Sequence, residues 1–271
     1  MNIKRITTAL LGVPLVILIL VLGNEYVIDV TFAAIAAICL HEYFNSFKGK
    51  ANPVIWIGYL SSAAIAFIHI IPIEYSLNII GIFIVVLVFL LFMQIILSKM
   101  KTNINDISIT LFGICYISLF LMFIPLIRGM ENGQYLVWYV FAGAWGTDVF
   151  AYFVGVNLGK HKFSKISPNK SIEGCIGGIL GSIAFMLFFT YIFNTFTTVE
   201  ISYVTTIIVA IILSVFAQIG DFAASTVKRY VGIKDFSNLI PGHGGMLDRF
   251  DSVIFIAPIA YFLIQYVLIA F

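Results

Sequence analysis

Nine apolar stretches, separated by short polar connectors, leave this chain few possible folds. They fall at about 6–23, 27–45, 53–71, 76–97, 108–127, 134–156, 175–193, 203–223 and 252–270. A helix needs roughly 20 apolar residues to cross a hydrocarbon core of about 30 Å, whereas barrel strands alternate over about ten. The pattern predicts an all-α polytopic membrane protein with about nine transmembrane helices. Only 10% of residues are charged and the mean hydropathy is +1.08, which excludes an ordinary soluble domain with about 25% charged residues.

Basic residues in the connectors orient such a chain, because cytoplasmic loops carry the excess of Lys and Arg. With nine crossings, Lys4, Arg5, Lys48, Lys50, Lys99, Lys101, Lys160, Lys162, Lys165, Lys170, Lys228, Arg229, Lys234 and Arg249 fall on one face, and Arg128 alone on the other. Adding or removing one helix would scramble that alternation. The expectation is a cytoplasmic N-terminus, an external C-terminus, and two long polar connectors, 157–174 and 224–251, facing the cytoplasm. Residues 1–133 read as a scaffold of lipid-facing helices and 134–271 as a catalytic region. The N-terminal stretch has the basic flank of a signal peptide but no convincing small-residue cleavage site, so a retained helix is expected. Cys39, Cys115 and Cys175 stand singly in apolar runs, as core thiols do. Asp29, His41, Glu42 and His69, near the edges of the second and third stretches, are expected at interfacial or bundle-facing positions without chemistry.

Two polar constellations interrupt the apolar pattern. The first runs from Trp145 to Gly178. Asp148 lies well inside an apolar stretch, where an ionised carboxylate costs at least a few kcal/mol unless paired, hydrated or metal-bound. Beyond it, Gly155, Gly159 and Gly174 permit close backbone approach, and Lys160, Lys162, Lys165 and Lys170 supply charge of the sign a triphosphate needs. Lysines alone would be ordinary cytoplasmic flanks. The turn-forming Ser167, Pro168, Asn169 and Ser171 beside them favour a phosphate or nucleotide clamp, although no Walker A loop is present.

The second constellation joins Asp221 to the segment Ser225–Asp251. Asp248 and Asp251 are three apart, so a helix places them on one face. Carboxylates beside Lys228, Arg229, Lys234 and Arg249 suit Mg²⁺, a hard cation that takes one or two carboxylates together with phosphate oxygens. Simple ion pairing would account for the charges, but not for Pro241, Gly242, Gly244 and Gly245 around His243, a turn where backbone can approach a ligand closely. A hydrogen-bonding role suits His243 better than proton abstraction.

The run SxxKRxxxxKDxxxxxPGHGGxxDRxD, from Ser225 to Asp251, resembles the signature of the phosphatidate cytidylyltransferases, or CDP-diacylglycerol synthases. Asp148, Tyr152, Gly155, Ser167, Pro168, Lys170, Glu173 and Gly174 match that family's other polar region. Ala224 and Val149 depart from it, where members often carry Glu and Thr. The likeness covers roughly the C-terminal half. It implies a homodimeric plasma-membrane enzyme converting CTP and phosphatidic acid to CDP-diacylglycerol and pyrophosphate, with Mg²⁺, a monovalent cation such as K⁺, and no nucleic-acid partner. Compatibly with that resemblance, Asp221, Asp248 and Asp251 are the expected metal residues, with Asp221 and Asp248 holding Mg²⁺ and Asp251 a nearby ligand or a group supporting them. Lys228, Arg229, Lys234, Asp235, His243 and Arg249 serve catalysis. Asp148, Tyr152, Gly155, Lys160, Ser167, Pro168, Lys170, Ser171, Glu173, Gly174, Ser225, Gly244 and Gly245 bind substrate. A CTP-dependent lipid or polyprenol kinase, an ether-lipid cytidylyltransferase and an ion-coupled transporter are the competing readings.

Overall fold

The apolar stretches have folded as helices. A computed structural model of the chain describes residues 3–70, 76–162, 167, 170–198 and 200–268. In chain order the helices are α1 (Ile3–Leu22), α2 (Glu25–Ser46), α3 (Ile55–Ile65), α4 (Ser76–Leu97), α5 (Ile104–Gly113), α6 (Phe123–Arg128), α7 (Gly133–Leu158), α8 (Ile172–Phe196), α9 (Tyr203–Val231) and α10 (Leu247–Leu263). A π-helical stretch, Ile114–Leu119, carries α5 towards α6, so the 108–127 stretch forms one long helical segment. Among the described residues seven helical segments are long and apolar enough to cross a membrane, and α3 is shorter. No strand forms among them, only the isolated bridges Lys162–Ser171 and Ile240–Gly244. This is a multi-pass, all-helical membrane protein.

Polar side chains set where the helices start. Asn24 caps α2 by accepting from the Val27 amide at 2.9 Å, Asn103 and Asp106 form a reciprocal capping box on α5, and the Ser171 hydroxyl accepts from the Gly174 amide at the start of α8. Each satisfies a donor that the first helical turn leaves without a carbonyl.

The chain divides into two compact units, Met1–Met130 with Tyr230–Arg249, and Glu131–Arg229 with Phe250–Phe271. Within the first unit the buried Asp106 carboxylate also accepts from the Asn52 amide at 2.7 Å, and Thr110 accepts from Val54 at 2.8 Å, tying the entry of α3 to α5. At that same end Lys50 bonds the Tyr230 carbonyl and lies 4.3 Å from the centroid of its ring. At the opposite end of α2, Arg128 donates to the Gly23 carbonyl at 3.3 Å, and the buried Asp29 pairs with His69 at 2.7 Å. Lys50 and Arg128, predicted on opposite faces, thus sit at opposite ends of this helix.

The second unit is held by small residues and hydroxyls. Gly146 and Gly155 of α7 meet Gly181 and Gly174 of α8, and Gly177 and Gly178 take in Val154 and Thr147, so the missing Cβ atoms let the two helices touch. Hydrogen bonds then lock the helices together: Tyr139 with Thr190 at 2.6 Å, Thr190 with Thr206 at 2.8 Å, and Thr147 with Ser214 at 2.8 Å. A Cβ on Gly181 would stand 2.4 Å from the Phe150 Cβ and 2.6 Å from the Gly146 carbonyl oxygen. Gly181→Val is therefore expected to destabilise the protein by about 1–3 kcal/mol, the usual cost of overpacking. Thermal unfolding in detergent measures it, and an unchanged midpoint would contradict the close packing.

Candidate active site

The second unit gathers carboxylates from three helices, with lysines close by. Asp148 lies on α7, Asp221 on α9 and Asp251 on α10, and Asp251, 8% exposed, is within electrostatic reach of Asp148, Asp221 and Lys228. Gly220 makes this approach possible, because a Cβ there would fall 2.9 Å from the Asp251 carbonyl oxygen and 2.5 Å from the Phe255 Cβ. The Ser252 hydroxyl reaches Asp148 at 3.5 Å, and the Ser252 amide donates to the Asp251 carboxylate at 2.8 Å. Asp221 is ion-paired with Lys170, whose ammonium also lies 4.5 Å from the centroid of the Phe222 ring. The two polar segments singled out in the sequence therefore meet in this unit, through Lys170 and Asp221. Lys228 and Arg229 occupy the last turn of α9, where positive charge complements the helix dipole.

The described residues of the 157–174 connector are tied together by their own side chains and backbone. Glu173 accepts from the amides of Lys160 and His161 at 3.2 and 3.3 Å, and pairs with His161 Nδ1 at 2.6 Å. The Ile172 amide closes the loop onto the His161 carbonyl at 2.9 Å, and Lys170 donates its amide to the Ser167 carbonyl at 3.1 Å. Glu173 thus anchors the loop that carries Lys160, while Ser171 caps α8. Gly155 and Gly174 are occupied by helix packing: a Cβ on Gly174 would come 3.2 Å from the Gly155 Cα. Tyr152 is exposed on α7, and Ser225 is buried on α9. Pro168, with Lys165 and Asn169, lies outside the described residues.

In the first unit, the PGHGG segment forms a closed turn. The His243 amide donates to the Ile240 carbonyl, and the Ile240 amide to the Gly244 carbonyl, both at 2.9 Å. Pro241 precedes Gly242 at φ +82°, the arrangement of a type II turn, and Gly244 at φ +86° again needs glycine. Asp248 clasps this segment. One of its carboxylate oxygens, Oδ2, accepts from both the Phe236 amide at 2.8 Å and the Gly245 amide at 3.0 Å. Lys234, Asp235 and Arg249 are exposed around it.

Two residues without an assigned role in the sequence reading take part. Glu42, 4% exposed, accepts from the Ser237 hydroxyl at 2.5 Å and from the Met246 and Leu247 amides at 2.9 and 2.8 Å. Glu42 is a carboxylate near the edge of an apolar stretch, a weaker form of the feature that marks Asp148. Ser237 carries no such feature.

Mg²⁺ asks for oxygen donors, and Asp148, Asp221 and Asp251 offer only those. Among the described residues no three His, Cys, Asp or Glu side chains form a ready cation cage. Carboxylate oxygens are the donors suited to an ion that takes one or two carboxylates and completes its shell with phosphate oxygens and water.

Apolar spans carrying carboxylates and lysines make this a multi-pass membrane protein, and its family makes it a nucleotidyltransferase. The model of the cytidylyltransferase family matches residues 3–267, and this chain belongs to that family. It is 33% identical to a phosphatidate cytidylyltransferase of Bacillus subtilis, over 96% of this chain and 97% of that one. Enzymes of the same name from Staphylococcus haemolyticus and Staphylococcus aureus are 37% and 39% identical, over 63% and 60% of this chain and 64% and 61% of theirs.

Proposed function

We infer that the chain transfers the cytidylyl group of CTP to phosphatidate, giving CDP-diacylglycerol and pyrophosphate. The observation that carries this is the end-to-end match to the Bacillus subtilis enzyme of that name. The joining of Lys170 to Asp221, across the two polar segments of the C-terminal half, supports it. An oxygen of the lipid phosphate attacks the α-phosphorus of CTP, the bond from that phosphorus to the bridging oxygen breaks, and pyrophosphate leaves with the electron pair. No base is needed to make the nucleophile, because a phosphate monoester carries about −1.5 to −2 charge near neutrality.

Both reactants are anions, so the work is positioning and charge neutralisation. Lys228, Arg229, Lys234 and Arg249 are the proposed sources of positive charge, and Asp235 and His243 the proposed hydrogen-bonding groups. Lys170 would exchange Asp221 for a phosphate oxygen as the nucleotide enters. Lys160, Ser167 and Ser171 would border the nucleotide, and Gly244 and Gly245 are included as substrate-binding residues on the strength of the motif. Asp221 and Asp251 would hold Mg²⁺, with Asp248 as a further ligand on the strength of the motif. When bound, the ion would supply Lewis-acid stabilisation of charge on phosphate oxygens. Asp148 would complete the polar wall on α7.

The one-sided distribution of basic residues supports nine crossings, a cytoplasmic N-terminus and a site facing the cytoplasm, where CTP is available. The proposal includes the plasma membrane as the location and a homodimer as the working form. Purified protein given phosphatidic acid, labelled CTP and Mg²⁺ is expected to form a labelled CDP-lipid with release of pyrophosphate, and to stop on chelation. Release of CDP with a phosphorylated lipid would indicate a kinase instead. A folded preparation that yields no CDP-lipid would overturn the proposal.

A further inference from the structure

We propose that Glu42, on α2 in the half of the chain without a motif, is a positioning residue for the reaction. It clasps the Ser237–Leu247 segment and caps α10; the proposal rests on the functional reading above. The Met246 and Leu247 amides stand at the first turn of α10, where no helical carbonyl can reach them. Glu42 takes both, one on each carboxylate oxygen, and the Ser237 hydroxyl shares Oε1 with Met246. A buried carboxylate at this point also meets the positive end of the helix dipole. The next residues of that helix are Asp248 and Arg249.

The motif is built around this side chain. A Cβ on Gly245 would lie 2.6 Å from Glu42 Oε2, so the second glycine of the GG pair gives the carboxylate its room. On its other side Glu42 borders a cavity of about 720 Å³, lined also by His41, Asn45, Tyr59, Phe236 and Leu239. The loop residues Phe236, Ser237 and Leu239 form part of that wall, so the polar clasp borders open space on this face of the segment. Asp248 secures the same segment from within, through Phe236 and Gly245.

Glu42→Gln keeps the volume and removes the chemistry. A carboxamide has one acceptor oxygen. If it occupies the Oε1 position, its NH₂ faces the Leu247 amide; if it occupies Oε2, the NH₂ faces Met246. At least one buried donor loses its partner in either case. The expected result is a fall of at least about tenfold in kcat per CTP-binding site, the effect of one unsatisfied buried amide. The KM for CTP should stay within about threefold of wild type, because the clasp orients groups rather than binding the nucleotide. Hydrogen exchange at Met246 and Leu247 is expected to speed up.

Counting kcat per CTP-binding site separates this from partial unfolding, and a packing role would be met by glutamine. Wild-type kcat in an inserted Glu42→Gln protein overturns the proposal. Should that variant fail to insert, Glu42→Asp decides: it keeps the charge but withdraws it by one methylene, and an undiminished kcat overturns the proposal equally. If the wild-type protein makes no CDP-lipid, the functional reading fails. Unchanged exchange at Met246 and Leu247 in Glu42→Gln, by contrast, defeats the clasp alone.

Discussion

Asp221→Asn is expected to lower turnover by about a thousandfold or more, as loss of a principal charge-stabilising group does, while the protein still inserts and folds. The reason lies in where the residue stands. Asp221 is on the one helix that carries Lys228 and Arg229, it is paired with Lys170 from the 157–174 connector, and it lies within electrostatic reach of Asp251. Asparagine fits the same space but cannot offset a cation, so both the pairing with Lys170 and any role in holding Mg²⁺ go together. Its partly exposed position makes a folding defect a poor explanation for lost activity. Steady-state CDP-lipid formation, normalised to folded protein by size-exclusion chromatography, measures the effect. Near-normal rates would remove Asp221 from the site.

Asp248 offers a sharper separation, because both backbone amides it accepts fall on the same oxygen, Oδ2. Asp248→Asn can place its carbonyl oxygen there and keep the loop closed while losing the charge. Asp248→Ala leaves two buried amides unsatisfied, each costing about 1–3 kcal/mol. A role in holding Mg²⁺ predicts that turnover falls by about a hundredfold or more in Asn with little change in thermal midpoint, and that Ala loses both activity and stability. A purely structural clasp predicts instead that Asn works like wild type and only Ala fails. The comparison of the two variants by thermal unfolding and product formation decides between them.

How much of this was legible in the sequence depends on the distance over which each interaction acts. The apolar stretches could be read because burying a helix in hydrocarbon is a property of consecutive residues. The turn at Pro241–Gly244 could be read for the same reason, since proline followed by glycine fixes the local backbone. The capping of α8 by Ser171 belongs with these. Glu173 is different. Its carboxylate is spent on Lys160 and His161, a loop closure that no spacing rule indicates, although the residue itself stood out beside the lysines. By sequence the glycines after Asp148 give a ligand room, yet Gly155 and Gly174 use that room for each other.

Glu42 shows the limit most clearly. A carboxylate near the end of an apolar stretch has many ways to be satisfied, and its partners lie about 200 residues downstream. Asp29 and His41 look no different in the sequence, and they pair with His69 and Tyr59. By itself the sequence determined the helical, membrane-embedded class, the location of the polar segments and the family resemblance, because periodicity, turn chemistry and motif are written in adjacent residues. Only the tertiary structure decided which carboxylates are spent on backbone amides and which stand beside lysines. That choice depends on which helix ends fold together, and a buried carboxylate takes whichever donors the fold brings within about 3 Å.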